Sequence, residues 1–202
     1  MTGVAPAKPV TAEEFWRLCA EGKPRELVRG EVREKMPVNL DHGRLALWMG
    51  AQLMNYQAHM KRYLGEVVTE TAFVIRYPDG RASVRAPNVA FIRKERLPEP
   101  YPNTFLEIAP DLAIEIVSPN DSYTEVRDKV DELLQAGTAV VWVIDPQGRR
   151  VEMYQPAEPI QVLHEGDTLS CEALLPGFAL PASVLFGGLR LAIEGSQAVE
   201  ES

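Results

Sequence analysis

The chain offers a metal almost no sulfur or imidazole. Its two cysteines, Cys19 and Cys171, stand far apart and neither has a CxxC partner. A disulfide framework or a zinc site is therefore not expected. The histidines, His42, His59 and His164, are scattered, with no HExxH motif and no Cys/His cluster. Long apolar runs are also missing. Nothing approaches the ~20 residues that cross a bilayer, and Met1 to Val10 hold one lysine and no apolar block, unlike a secretory leader. A cytoplasmic protein with no membrane partner is the expectation. Positive charge is short: 21 Lys and Arg stand against 29 Asp and Glu, for a net charge of -8. That weighs against a protein that coats nucleic acid through a broad basic face. It does not exclude a nuclease, whose site needs negative residues to hold a divalent cation. GxGxxG and P-loop motifs are absent as well, which argues against a doubly wound nucleotide binder.

What is present reads as one α/β domain over 11–186, with flexible tails at 1–10 and 187–202. Thr11 and Glu14 fit a capping box opening a short helix, Ala12 to Ala20. Arg25 to Val38 reads as a β-hairpin turning at Gly30. Asp41 offers an N-cap for an amphipathic helix to Tyr63, with Leu45, Trp48, Met49, Leu53, Tyr56 and Met60 at three- and four-residue steps. Val67 to Tyr77 and Ser83 to Ile92 read as strands, the second bent or edge-placed at Pro87. Asp111 to Val117 and Ala139 to Ile144 are short apolar runs, as expected of buried central strands. The helix between them makes a right-handed parallel crossover. The hairpin and the short C-terminal strands are expected to extend this sheet with antiparallel neighbours.

The chemistry concentrates in Pro110-Asp-Leu-Ala-Ile-Glu-Ile-Val-Ser-Pro119. Strand alternation sends Leu112, Ile114 and Ile116 one way and Asp111, Ala113, Glu115 and Val117 the other. A glutamate in so apolar a strand is costly unless an arginine or lysine, backbone amides or a metal ion compensates it. Asn88 in the preceding strand is placed to lie beside Glu115. Lys129, beside the Val126/Val130/Leu133 face of the following helix, can reach under it toward the sheet. Arg76, Arg81, Arg85, Arg93, Lys94 and Arg96 cluster around the neighbouring strands as a phosphate-facing strip or as scattered surface charge. Glu125, Asp128, Asp131 and Glu132 read as a solvated helix face.

Glu26-Leu-Val-Arg-Gly-Glu31, Ala86-Pro-Asn-Val-Ala-Phe-Ile92, Pro110–Pro119, Ala136-Gly-Thr-Ala-Val-Val-Trp-Val-Ile-Asp-Pro146 and Leu175-Pro-Gly-Phe-Ala-Leu-Pro181 together resemble the Uma family of restriction-endonuclease-like proteins, in the PD-(D/E)XK nuclease superfamily. The resemblance runs from about Thr11 to Phe186. It implies a restriction-endonuclease-like mixed sheet flanked by helices, with an extra N-terminal hairpin and C-terminal strands. It also implies an endonuclease site acting on DNA with Mg²⁺. Asn88 falls at the usual metal aspartate and Glu115 at the second acidic position. Val117 stands where the superfamily lysine belongs, so Lys129 is the candidate for a lysine supplied from the helix. Glu26, Glu31 and His42 are weaker candidates to line the cleft. Asn88 brings an amide oxygen but no charge, which implies a weakened nuclease, or an inactive nuclease-fold protein that serves as a binding module. A homodimer is plausible from the apolar strands and exposed hairpin.

Overall fold

The computed structural model describes residues 8–119 and 121–187. Thr11 caps the first helix, α1 (Ala12–Cys19), through the expected reciprocal bonds with Glu14. Strands β1 (Arg25–Val28) and β2 (Glu31–Glu34) form the hairpin. Its two turn residues, Arg29 and Gly30, both have positive φ, 49° and 86°, the geometry of a type I′ turn that matches strand twist. Ahead of α1 the Val10 N–H donates to the Gly30 carbonyl at 2.9 Å. The tails beyond, at 1–7 and 188–202, lie outside the described residues.

The long helix, α2, spans Leu40–His59, and its N-cap is Asn39 rather than Asp41, because the Asn39 side chain accepts from the His42 N–H. The run from Val67 to Tyr77 is two strands, not one. β3 (Gly65–Thr69) ends where Glu70 takes a φ of 48°, and β4 (Phe73–Arg76) begins in a different sheet. Pro87 likewise divides β5 (Ala82–Arg85) from β6 (Val89–Arg93). β7 (Leu112–Ile116), α3 (Tyr123–Gln135) and β8 (Val140–Asp145) follow, then β9 (Arg150–Tyr154), β10 (Gln161–Leu163), β11 (Thr168–Ser170) and β12 (Ala179–Pro181).

The main sheet has the order β10-β9-β8-β7-β6-β3. β7 and β8 run parallel, Glu115 opposite Val143, and the other neighbours are antiparallel. The hairpin does not extend this sheet. It builds a second one, β2-β1-β5-β4. One face of the main sheet packs Leu112, Ile114 and Ile116 against Leu45, Met49 and Leu53 of α2. The other packs Ala113, Val141 and Val143 against Val130 and Leu133 of α3. Glu115 is on the α3 side, as strand alternation requires.

Ser122 and Glu125 close a second capping box at the start of α3. Because α3 carries Lys129, this cap also fixes the height of the lysine above the sheet. Ser122→Ala is expected to lower stability by about 1 kcal/mol, the usual cost of losing such a cap, as read by urea unfolding. Among the described residues no helix is long and apolar enough to cross a membrane.

Candidate active-site cleft

A cleft of about 320 Å³ opens where the two sheets meet the start of α3. Asn88, Glu115, Lys129, Glu26 and His42 all line it. Glu31 is not among its lining residues. It sits on β2 with its side chain 76% exposed and 3.6 Å from Arg33. An adjoining cleft of about 540 Å³ shares Glu26, Lys35, His42 and Asn88 and adds Glu70.

The centre is a lysine among oxygens. Lys129 Nζ is 2.9 Å from both carboxylate oxygens of Glu115. It also donates to the Ala86 carbonyl at 3.0 Å and lies 3.6 Å from Glu26 Oε1. Of these carboxylate oxygens, only Glu115 Oε2 is aligned to accept a hydrogen bond from it. Glu115 Oε1 and Glu26 Oε1 are buried with none. Burial pushes the Glu115 carboxyl up against the opposing pull of Lys129. Burial also works against the Lys129 charge, but the attraction of Glu115 and Glu26 outweighs it and moves the ammonium up. Lys129 therefore stays charged through neutral pH. Glu26 goes the other way. Burial raises its carboxyl, but Lys129, Lys35 and Arg85 together hold it below its ordinary value.

Asn88 presents its amide on both sides. Its Oδ1 accepts from the Ile116 backbone N–H at 2.8 Å, and its Nδ2 donates to Glu70 Oε1 at 2.9 Å. An aspartate here could not make the second bond. Glu70 and Lys35, 3.4 Å apart, were not visible as site residues in the sequence. Glu70 sits inside a β-branched run, and only its left-handed backbone marks it out.

Behind Lys129 lies a second set of charges. Arg85 is 6% exposed at its side chain and pairs with Glu132 at 2.6 Å and Glu26 at 3.0 Å. Glu132 is thus not part of a solvated face. It is buried, and Arg29 approaches it at 3.4 Å. The arginines of the strip are ion-paired as well, while Lys94 is exposed. Arg76 pairs with Glu107 and Glu13, Arg81 with Asp79, and Arg93 and Arg96 with Asp111.

His42 is buried on α2 with Nδ1 unpaired. Burial lowers its pKa below the ordinary 6.5, against the opposing pull of Glu70 and Asp121. Between its folded pKa and 6.5 the unfolded chain takes up a proton that the folded chain does not, so stability falls as pH drops through that window. His42→Asn is expected to flatten this loss. Urea unfolding of both proteins across mildly acidic pH checks it, and parallel curves would contradict it.

A mixed sheet crossed by a parallel strand-helix-strand unit, with a glutamate on its inner strand β7 meeting a lysine from α3, makes this a mixed α/β protein. The chain belongs to the Uma2 family, described as "Putative restriction endonuclease", whose model matches residues 12–183. Its fold is shared with the crystal structure at 1.96 Å of "a putative nuclease belonging to DUF820" from Anabaena variabilis ATCC 29413. The TM-score is 0.77 at 22% identity, over 89% of this chain and 98% of that one. The cryo-electron microscopy structure of a DrdV–DNA complex is far less similar, with a TM-score of 0.32 at 14% identity over 75% and 97%. No curated protein matches.

The family implies a divalent cation, and the residues present do not fit one. Among the described residues no group of three His, Cys, Asp or Glu side chains is placed to hold a metal ion. Mg²⁺ takes charged carboxylates and demands near-octahedral oxygen geometry. Here Glu115 is matched by an ammonium, and Asn88 is neutral with its oxygen already engaged.

Proposed function

We propose that this protein engages DNA through the cleft but does not hydrolyse it at an appreciable rate, because its own lysine, rather than a metal ion, compensates the glutamate. The observation that supports this is the seat of Lys129 Nζ, 2.9 Å from both Glu115 oxygens and 3.0 Å from the Ala86 carbonyl, beside an uncharged Asn88. An ammonium satisfies the charge of Glu115 but has no empty coordination position at which to activate water. DNA is the proposed ligand because the family is described as "Putative restriction endonuclease", and the cytoplasm is where such a protein would meet it. Lys35 and Arg33 line the cleft within 3.4 Å of Glu70 and 3.6 Å of Glu31, so phosphates would have to displace these carboxylates, and binding is expected to weaken with salt.

A second reading is a slow Mg²⁺-dependent endonuclease, favoured by the retention of Glu115 and Lys129 together in one open cleft. Two assays separate the readings: gel shift of a duplex at low salt, and nicking of supercoiled plasmid with Mg²⁺ or Mn²⁺. The proposal predicts a shift and no nicking above that of Glu115→Ala. Nicking that disappears in Glu115→Ala favours the second reading. No shift at any salt removes DNA as the ligand.

A further inference from the structure

The exposed side of α2 carries a line of large apolar side chains. Leu45, Met49 and Leu53 pack into the core. On the opposite face Leu40 is 85%, Leu47 72% and Met54 59% exposed. At 3.6 residues per turn, Ala51 and Ala58 fall on the same outer line. A single helix face in contact with water normally carries charge. The exposed side of α3 follows that rule, with Glu125, Asp128 and Asp131. α2 has Asp41 and Arg44 as its only Asp, Glu, Lys or Arg residues in twenty, and these two lie within 3.7 Å of each other.

We infer that this outer face of α2 is a homodimer interface, in which it packs antiparallel on the same helix of a second copy. Two features select a second copy as the occupant. A chain of net charge -8 meets its own copy with least repulsion where acidic charge is missing, and along this stripe Arg44 is the one charged residue. The stripe also complements itself. A two-fold axis at the level of Met49 sets Leu40 against Ala58 of the other copy, and Leu47 against its Ala51. It also sets Arg44 against its Met54, aliphatic stem on thioether. Each large side chain then meets a small or flexible one, as an isologous contact requires. The stripe is about 27 Å long at 1.5 Å per residue, enough for several turns of contact. Met36 and Val38, 75% and 53% exposed, continue it to the rim of the cleft, so pairing leaves one cleft near each end of the helix pair. The apolar strands and the hairpin, by contrast, are used within the two sheets.

Light scattering after gel filtration at micromolar concentration tests this. The full chain is expected at twice its 22.5 kDa mass, and Leu47→Glu at the single-chain mass with unchanged circular dichroism. Should Leu47→Glu fail to fold, Met54→Lys decides by the same shift. A natural protein that stays at the single-chain mass would overturn the inference. So would folded variants that remain dimeric, or a monomer that dimerises only when residues 188–202 are removed.

Discussion

Asn88→Asp is expected to convert a protein whose melting temperature ignores Mg²⁺ into one that is stabilised by it. The physical case rests on two bonds. The new carboxylate can still accept from the Ile116 N–H, now held at 2.8 Å by the amide oxygen. It cannot donate to Glu70, which the amide nitrogen reaches at 2.9 Å. Without metal, the variant therefore has three carboxylates, at 70, 88 and 115, along two adjoining clefts that share position 88, and it should melt below the natural protein. With a divalent cation the same charges become ligands, and Lys129 is free to leave Glu115. A ligand present at a hundred times its Kd stabilises by about 2.7 kcal/mol, which is a shift of several degrees for a domain of this size. Thermal melts of both proteins with chelator and with millimolar Mg²⁺ read this out. Equal responses of the two proteins would sink the idea that position 88 sets the metal affinity. Nicking of plasmid DNA by the variant and not by the natural chain is the accompanying functional expectation.

Arg85→Ala should be the most damaging single change among the buried charges. Arg85 makes the shortest ion pairs of both Glu132, 2% exposed at its side chain, and Glu26, 15% exposed. Truncating it leaves Glu132 with Arg29 at 3.4 Å and Glu26 with Lys129 and Lys35 at 3.6 Å. Breaking a buried pair in this way typically costs about 3–5 kcal/mol. The loss belongs to the orphaned charges and not to the packing of the arginine. Arg85→Met with Glu132→Leu, which removes charge on both sides, is therefore expected to cost less than Arg85→Ala alone. Urea unfolding of the two variants separates the causes. A double variant less stable than Arg85→Ala would show that shape, not charge, governs this region.

How much of this was legible beforehand differs from segment to segment. The capping box at Thr11 is a local signal, and local structure follows it; the one at Ser122 shows only in the structure. The parallel crossover could be read because a short apolar run, a helix and a second apolar run admit few connections. Alternation along 111–117 placed Glu115 on the α3 side. The break at Glu70 was hidden, since β-branched residues lie on both sides of it and only the backbone of one residue turns. Glu132 looked like one more acid on a charged helix. Its burial depends on Arg85, 47 positions away, in a second sheet that no short-range pattern announces. Glu31 shares a strand with inward neighbours but falls on the outward phase of the hairpin. The arginines around β4 to β6 gave a basic strip on paper, because the acids that neutralise them, Glu107, Asp79 and Asp111, arrive from loops and from neighbouring strands.

Asn88 is informative for a different reason. Its identity was plain in the sequence, but the bond to Glu70 was not, and that bond gives the amide a positive use. The chain has a hydrogen-bond network that needs a donor at position 88.

Calorimetric titration of Mg²⁺ and then Mn²⁺ into the natural chain tests most directly whether an ammonium has taken the place of the metal. The account predicts only heats of dilution up to millimolar cation, at a pH where Lys129 is charged. Saturable binding of one ion per chain, abolished by Glu115→Ala, would contradict it.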